Sequence, residues 1–241
     1  MPITVPWVSN RTIEAEADIL LQHYAKECEP ILRPPVPIDE IPETLLKVSL
    51  DFDDLGKLLG RPNVIGATWF DRREIFIDQS LDPTEHPEKC GRYRFTVGHE
   101  IGHWILHRRH VPDRANQIHL FGEQEREPSV ICRDGDSVPA EVQANRFASC
   151  LLMPRAFVLA AWREQDSDSA WIFDAPKYQA AVTNGFTDSY DVVAKMIMNN
   201  IASNFAPLFH VSVEAMRIRL ENLGLLKKVQ GGQLLNLEKA G

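Results

Sequence analysis

The sequence predicts an α+β fold, with a small mixed sheet in its first half and a mainly helical second half. Two β-like runs, Val64–Phe70 and Glu74–Asp78, are separated by a short polar tip, which is the pattern of a β-hairpin. Strong helical patterns follow over residues 92–107 and 140–152, and residues 155–223 are mostly helical in character. A sheet that precedes a run of helices is typical of the α+β class.

The segments before the hairpin predict a helix, a connector and a strand. Residues 10–28 have helical spacing of apolar side chains, with Asn10 as the N-cap. Five prolines between positions 30 and 42 exclude a long helix there and predict an extended connector. A strand is expected over residues 45–50, followed by a helical turn that ends at Gly60.

The second half contains an irregular polar segment, residues 108–138, between its two strong helices. We expect the last helix to begin after Ser212 as N-cap and to end at Gly224. Four parts are therefore predicted along the chain: an N-terminal helix (1–30), a catalytic core (31–155), a helical C-terminal subdomain (156–226) and a tail (227–241).

Charge and cysteine pattern narrow the classes of function. The chain has 26 basic and 34 acidic residues, a formal charge of −8, whereas nucleic-acid binders cluster Lys and Arg. Its four cysteines form no C-x-x-C pair, and this low content fits a reducing compartment. Neither a signal peptide nor an apolar run of roughly 18 residues is present. We therefore expect a cytoplasmic protein without direct contact to nucleic acid or membrane.

The segment His99-Glu100-Ile101-Gly102-His103 has the H-E-x-x-H pattern and lies within the helix predicted over residues 92–107. Side chains four residues apart on a helix lie one turn apart on the same face, so both imidazoles can reach one metal ion. Glu100 lies beside them and can accept a proton from a metal-activated water as general base. The competing interpretation, two helical histidines without a metal, needs the motif to arise by chance.

The same helix carries an apolar stripe and two glycines. Val97, Ile101 and Ile105 point away from the two histidines, so the stripe can face a core while the imidazoles line a cleft. Gly98 and Gly102 each cost about 1 kcal/mol relative to Ala inside a helix. We therefore expect another part of the chain to approach the helix backbone closely at these two positions.

A catalytic zinc site needs a third protein ligand. The extended metzincin pattern is excluded, because Leu106 and Arg109 stand where it requires glycine and histidine. His107 lies about 80° around the helix from the first histidine, a poor angle for sharing one metal. Its simpler interpretation is a cation near a helix C-terminus. His110 and His119, in the irregular segment, are weaker candidates.

Glu141 is the better candidate for the third ligand. It begins the helix predicted over residues 140–152, and Asn145 lies one turn further on, where an amide can orient a metal ligand. Ala144 and Ala148 are small and one turn apart, which lets this helix lie close to the H-E-x-x-H helix. The alternative, which spacing alone leaves open, is that Glu141 only complements the helix dipole.

At these residues the chain resembles the ImmA/IrrE family of metallo-endopeptidases. Four stretches carry the resemblance: Pro34–Ile41, Arg94–His103 with its extension to His107, Glu141–Pro154, and Val211–Leu220 followed by Leu223-Gly224-Leu225. The second and third are specific in combination, whereas the other two are supportive. Gln143 departs from the pattern, since an acid is often expected there.

This resemblance implies a zincin-like catalytic core. It implies that His99, His103 and Glu141 bind the metal and that Glu100 is the general base. Zn²⁺ is the expected cofactor, and Mn²⁺ is an alternative because sites of two histidines and a carboxylate accept either ion. The resemblance also implies a protein substrate, a helix-turn-helix transcriptional repressor of stress-response or mobile-element circuits.

Two other classes of function stay open at the level of sequence. In one, the chain is a metal-containing interaction protein that binds a repressor or toxin without cutting it. Glu100 argues against this, because a binding protein has no need of a base between two ligands. In the other, the chain is a metal-dependent hydrolase of a non-peptide amide.

Two further expectations concern substrate binding. The strand over Arg73–Asp78 is hypothesised to be a sheet edge against which an extended substrate pairs. An oxyanion stabiliser should also exist, for which Tyr178, Tyr190 and His210 are candidates. None of these three is assigned, because aromatic residues in helices are more often part of a core.

Overall fold

The computed structural model describes residues 5–111, 127–133, 138–165 and 169–229. Its helices are α1 (Asn10–Glu27), α2 (Leu55–Leu58), α3 (Cys90–Leu106), α4 (Pro139–Leu152), α5 (Arg155–Glu164), α6 (Ala175–Thr183), α7 (Tyr190–Ala202), α8 (Ala206–Phe209) and α9 (Val213–Asn222). Its strands are β1 (Ser49–Asp53), β2 (Val64–Trp69), β3 (Glu74–Asp78), β4 (Val130–Arg133), β5 (Trp171–Phe173) and β6 (Leu226–Lys228). The predicted α+β fold with a small mixed sheet is confirmed.

The chain divides into two compact units, Met1–Pro154 and Arg155–Gly241. The finer division into four parts stays a prediction. None of the helices in the described ranges combines the length and the apolar character that a membrane span requires.

The sheet of the first unit has the strand order β1-β3-β2-β4. β3 pairs in parallel with β1 and in antiparallel with β2, so it is a central strand. The hypothesis that residues 73–78 form the substrate-binding edge is therefore wrong, because β1 already occupies the second side of this strand. Among the described strands, the two at the edges of this sheet are β1 and β4.

One face of the sheet packs on α2 and the other on α3. On the first face, Leu55 of α2 packs against Ala67 and Trp69 of β2. Side chains alternate between the faces of a strand, so Gly66 and Thr68 of β2 lie on the opposite face, towards α3. This alternation places a glycine and a threonine of the sheet against the H-E-x-x-H helix.

Several boundaries differ locally from the predictions. The cap of α1 is Ser9, whose hydroxyl accepts a hydrogen bond from the Thr12 amide, so Asn10 is the first residue of the helix and not its cap. A π-helical turn at Ile41–Leu46 occupies the start of the predicted strand and moves β1 to Ser49–Asp53. Propensity alone does not distinguish such a turn from the start of a strand.

The second unit is mainly helical, as predicted. The hydroxyl of Ser212 accepts a hydrogen bond from the Ala215 amide and caps α9, and Gly224, with φ of +73°, lies just beyond its end. The parallel pair of β5 and β6 was not expected, because each strand has only three residues. Phe173 of β5 is fully buried in the core of this unit.

Candidate metal centre

Helices α3 and α4 lie unusually close together, which brings the predicted site residues of both into one place. A Cβ atom added at Gly102 would lie 3.1 Å from the Ala144 Cα and 3.2 Å from the Ala144 carbonyl oxygen. At Gly98 it would lie 3.3 Å from the Ala148 Cβ. The expectation that something approaches the backbone at both glycines is confirmed, and the approaching element is α4.

Three predicted ligands converge at one point through the terminal atoms of their side chains. We call these residues, His99, His103 and Glu141, the ligand cluster. The Nε2 atoms of His99 and His103 are 2.9 Å apart. The carboxylate of Glu141 places Oε2 3.0 Å from His99 Nε2 and Oε1 3.3 Å from His103 Nε2. All three residues are buried, so the imidazoles do not line an open cleft as the sequence suggested.

The imidazole of His103 is oriented by a chain of hydrogen bonds that begins at the N-terminus. The Gln143 amide Nε2 donates to the carbonyl oxygen of Pro6 over 2.9 Å, so its Oε1 must face His107. That oxygen lies 3.1 Å from His107 Nε2, which therefore donates, and this leaves His107 Nδ1 as an acceptor. His107 Nδ1 lies 2.9 Å from His103 Nδ1, which donates to it. The Nε2 lone pair of His103 is thereby directed at the ligand cluster.

His107 is thus a neutral hydrogen-bonding residue, and its interpretation as a cation near the helix end is wrong. It is fully buried, and this burial lowers its pKa below the ordinary value. The Gln143 contact also explains why an amide stands where an acid was expected, because Gln143 must both donate to a carbonyl and accept from an imidazole. The i, i+4 spacing of His103 and His107 was the signal in the sequence that could have shown this pair.

The imidazole of His99 is oriented by Asn145 on α4. Oδ1 of Asn145 lies 2.9 Å from His99 Nδ1, which donates to it. The Nε2 atom of His99 then faces the cluster, as that of His103 does. The structure therefore brings Asn145, one helical turn from Glu141, to the position where the sequence predicted an orienting amide.

The side chain of Glu100 extends from α3 towards Gly66 and Thr68 of β2. Its side chain is fully buried, and Oε2 accepts a hydrogen bond of 2.7 Å from the Thr68 hydroxyl. A Cβ atom added at Gly66 would lie 2.4 Å from Oε1 of this carboxylate, so any larger residue there requires the Glu100 side chain to shift. Among the described residues, Oε1 has no hydrogen-bond partner. Burial raises the pKa of Glu100 to about 7.

Two members of the cluster, His103 and Glu141, are in the protonation states that a cation requires. Burial lowers the pKa of His103 to about 4, so this imidazole is neutral near pH 7 and its lone pair is available. Burial would raise the pKa of Glu141, but the hydrogen bonds and charges of the two histidines outweigh it and lower the pKa to about 2. Two imidazole nitrogens and one carboxylate form the donor set of catalytic zinc sites. The residues present therefore fit a divalent cation, and the buried oxygen of Glu100 without a partner fits a polar group bound beside it.

A fourth ligand-capable residue was not predicted. Cys132 of β4, His99 and Glu100 each place one ligand-capable atom within 4.8 Å of the others. Cys132 is buried and is not part of a disulfide. The one feature of the sequence that could have indicated this residue is its position in a short apolar run within the polar segment.

The other candidates lie elsewhere. His110 belongs to a single helical turn after α3 and is in neither group of ligand-capable residues, and His119 lies outside the described residues. In the second unit, Tyr178 donates to the carbonyl oxygen of Asp188 and Tyr190 to that of Phe173, each over 3.0 Å. His210 ends α8 in the left-handed conformation. None of the three is assigned as an oxyanion stabiliser.

Comparison with known proteins agrees with this arrangement. The family model described as the IrrE N-terminal-like domain, a peptidase family, matches residues 55–221. The matched range includes the whole ligand cluster, Glu100 and Cys132. No curated protein matches the chain.

Proposed function

Because this chain belongs to the ImmA/IrrE family of metallopeptidases, we propose that it is a zinc-dependent endopeptidase in which Glu100 is the general base. The observation that carries the proposal is the convergence of His99, His103 and Glu141 within 3.3 Å, beside a buried carboxylate oxygen without a partner. A protein that only bound a partner would gain nothing from burying this carboxylate.

Each residue has a distinct part in the proposed mechanism. His99, His103 and Glu141 bind the ion, which when bound supplies the positive charge that activates water and polarises the scissile carbonyl. Glu100 accepts the proton of the attacking water at Oε1 and passes it to the leaving amine. The hydroxyl of Thr68 holds Oε2 of Glu100, so that the other oxygen is the one available for proton transfer.

The orienting residues keep the ligand atoms directed at the ion. Asn145 holds His99 through Nδ1, and His107 holds His103 in the same way. Both arrangements leave Nε2 free for the metal, and such partners contribute about 10–100-fold to metal affinity. We assign Zn²⁺ as the cofactor because nitrogen and carboxylate ligands suit it, with Mn²⁺ as the alternative according to availability.

The proposed substrate is a helix-turn-helix transcriptional repressor, and the proposed location is the cytoplasm. Both follow from the family resemblance, and the net charge of −8 suits a protein whose partner, not itself, binds DNA. Since β4 is an edge strand among the described residues and carries Cys132 next to the site, we place an extended substrate segment along it. In the Glu100→Gln variant mixed with substrate, backbone amides at 130–133 should then exchange more slowly.

The decisive experiment is cleavage of a candidate repressor by the metal-loaded protein, read by intact mass. The protein is loaded with Zn²⁺ or with Mn²⁺ and compared with two variants, Glu100→Gln and Glu88→Gln, the second of which changes an exposed carboxylate near the start of α3. A discrete cut made by the wild type and by Glu88→Gln, but lost in Glu100→Gln, supports the proposal. If Glu100→Gln cuts at the wild-type rate, Glu100 is not the base. If the repressor is captured by the metal-loaded wild type but stays whole, the non-cleaving interaction protein is favoured.

A further inference from the structure

Cys132 faces the same side of the sheet as the general base. In the antiparallel pair of β2 and β4, Cys132 lies directly opposite Gly66. Residues directly opposite one another in such a pair point to the same face. The missing side chain of Gly66 would point at Glu100 Oε1, so the sulfur of Cys132 is directed to the same space.

The surroundings of this sulfur are those of a ligand site. Cys132, His99 and Glu100 each place a ligand-capable atom within 4.8 Å of the others. His99 is also a member of the ligand cluster, so the two groups of residues share one imidazole. The sulfur is therefore next to a residue that we assign to the metal and on the side where Glu100 lies.

A second observation independently indicates that something binds in this space. Oε1 of Glu100 is buried and has no hydrogen-bond partner among the described residues. Leaving a buried carboxylate oxygen without a partner costs about 1–3 kcal/mol or more. Such a cost is expected where a ligand completes the site. Cys132 and His99 each place a ligand-capable atom within 4.8 Å of the Glu100 carboxylate.

We propose that Cys132 is a fourth, exchangeable ligand of the metal held by His99, His103 and Glu141. This inference rests on the proposed function, since it uses the same metal. Structural zinc sites have four protein ligands, whereas catalytic sites leave one position open. With the sulfur bound as thiolate and its proton released to solvent, the resting protein holds the metal in a closed site. Cys132 must leave the metal before hydrolysis, which makes the resting form latent.

The proposal has a consequence for the choice of metal. Thiolate is a soft ligand that favours Zn²⁺, whereas Mn²⁺ prefers oxygen ligands. The wild type should therefore prefer Zn²⁺ over Mn²⁺ more strongly than a variant without this sulfur. We expect the ratio of the two affinities to fall by about tenfold or more in Cys132→Ala.

The test is absorption spectroscopy of the full chain loaded with Co²⁺, which reports ligand type without any substrate. Thiolate bound to cobalt gives a sulfur-to-metal charge-transfer band in the near ultraviolet, separate from the visible bands of the bound ion. Cys132→Ala is compared with Cys150→Ala, the same change at the other buried cysteine. Circular dichroism checks folding, and Cys132→Ser replaces the alanine variant if that fails to fold.

We expect the charge-transfer band in the wild type and in Cys150→Ala, and its loss in Cys132→Ala while the visible bands remain. Visible bands without a charge-transfer band in the wild type would overturn the inference and leave the proposed function standing. So would a band that survives in Cys132→Ala. If His103→Ala binds Co²⁺ with unchanged spectra, the metal is not at this site, and the proposed function fails together with the inference.

Discussion

The buried carboxylate of Glu100 should destabilise the metal-free protein, and replacing it by glutamine should relieve this cost. Burial raises the pKa of Glu100 from the ordinary 4.5 to about 7. Below pH 4.5 the carboxyl group is neutral in both the folded and the unfolded chain and carries no charge penalty. Between pH 4.5 and about 7 the unfolded chain ionises this group while the folded protein keeps it neutral, so the free energy of unfolding falls as the pH rises and levels off above about 7.

The magnitude follows from the two pKa values. Their difference of about 2.5 corresponds to about 3 kcal/mol, since one pKa unit is worth about 1.4 kcal/mol. Most of this appears between about pH 5 and about pH 8, where we expect the wild type to lose about 2–3 kcal/mol relative to Glu100→Gln. For a chain of this length, the corresponding shift in melting temperature is about 5–10 °C.

The assay is denaturation of both proteins in chelator at the two pH values. Hydrogen exchange of the α3 amides, measured in parallel, isolates the first unit from the second. The stability difference between wild type and Glu100→Gln is measured at each pH, and the two differences are then subtracted. This subtraction cancels costs that do not depend on pH, such as the cost of a buried amide without a hydrogen-bond partner in Glu100→Gln. Glu88→Gln, the same change at an exposed carboxylate, is the control. If Glu100→Gln and the wild type keep the same stability difference at both pH values, Glu100 does not carry a buried charge and the argument for a raised pKa is refuted.

Three further substitutions test the geometry of the site. Gly66→Ala places a methyl group 2.4 Å from Oε1 of Glu100 and should lower kcat/KM about a hundredfold with metal content retained. Wild-type kinetics in this variant would show that the carboxylate moves freely. His107→Ala removes the acceptor for His103 Nδ1 and should weaken Zn²⁺ binding about 10–100-fold in a chelator competition; an unchanged affinity would contradict the orienting role. Gly102→Ala adds a methyl group 3.1 Å from the Ala144 Cα and should destabilise the protein by about 1–3 kcal/mol in urea denaturation, and an unchanged midpoint would mean that α3 and α4 can separate without cost.

Local pattern was sufficient to predict the elements that carry the site. The i, i+4 spacing of two histidines on a helix is a property of the helix itself, so α3 and its motif could be derived before any packing was known. The hairpin of β2 and β3 and the close approach of α4 at Gly98 and Gly102 were also predictable, because turn chemistry and small residues are local signals. For Glu141 spacing left two interpretations open, and the family resemblance decided between them.

Contacts distant in sequence were not predictable in the same way. β3 is a central strand because it pairs with β1 as well as with β2. The pairing with β1 could not be predicted, since no local sequence pattern indicates which strand lies beside another. The role of His107 depends on Gln143 and, through it, on the carbonyl oxygen of Pro6, a contact between residues 137 positions apart. Its place in the sequence suggested a cation near a helix C-terminus, whereas burial lowers the pKa of this imidazole and keeps it neutral.

The sequence by itself therefore determined the helix, the motif and the class of chemistry, since these follow from residue type and helical period. Only the tertiary structure decided how the site is completed. It brought a strand glycine against Glu100, the Gln143 amide against His107 and a thiol beside His99. The physical reason is that burial and the satisfaction of hydrogen bonds are set by all the elements that meet at one point, and these come from segments far apart in the chain.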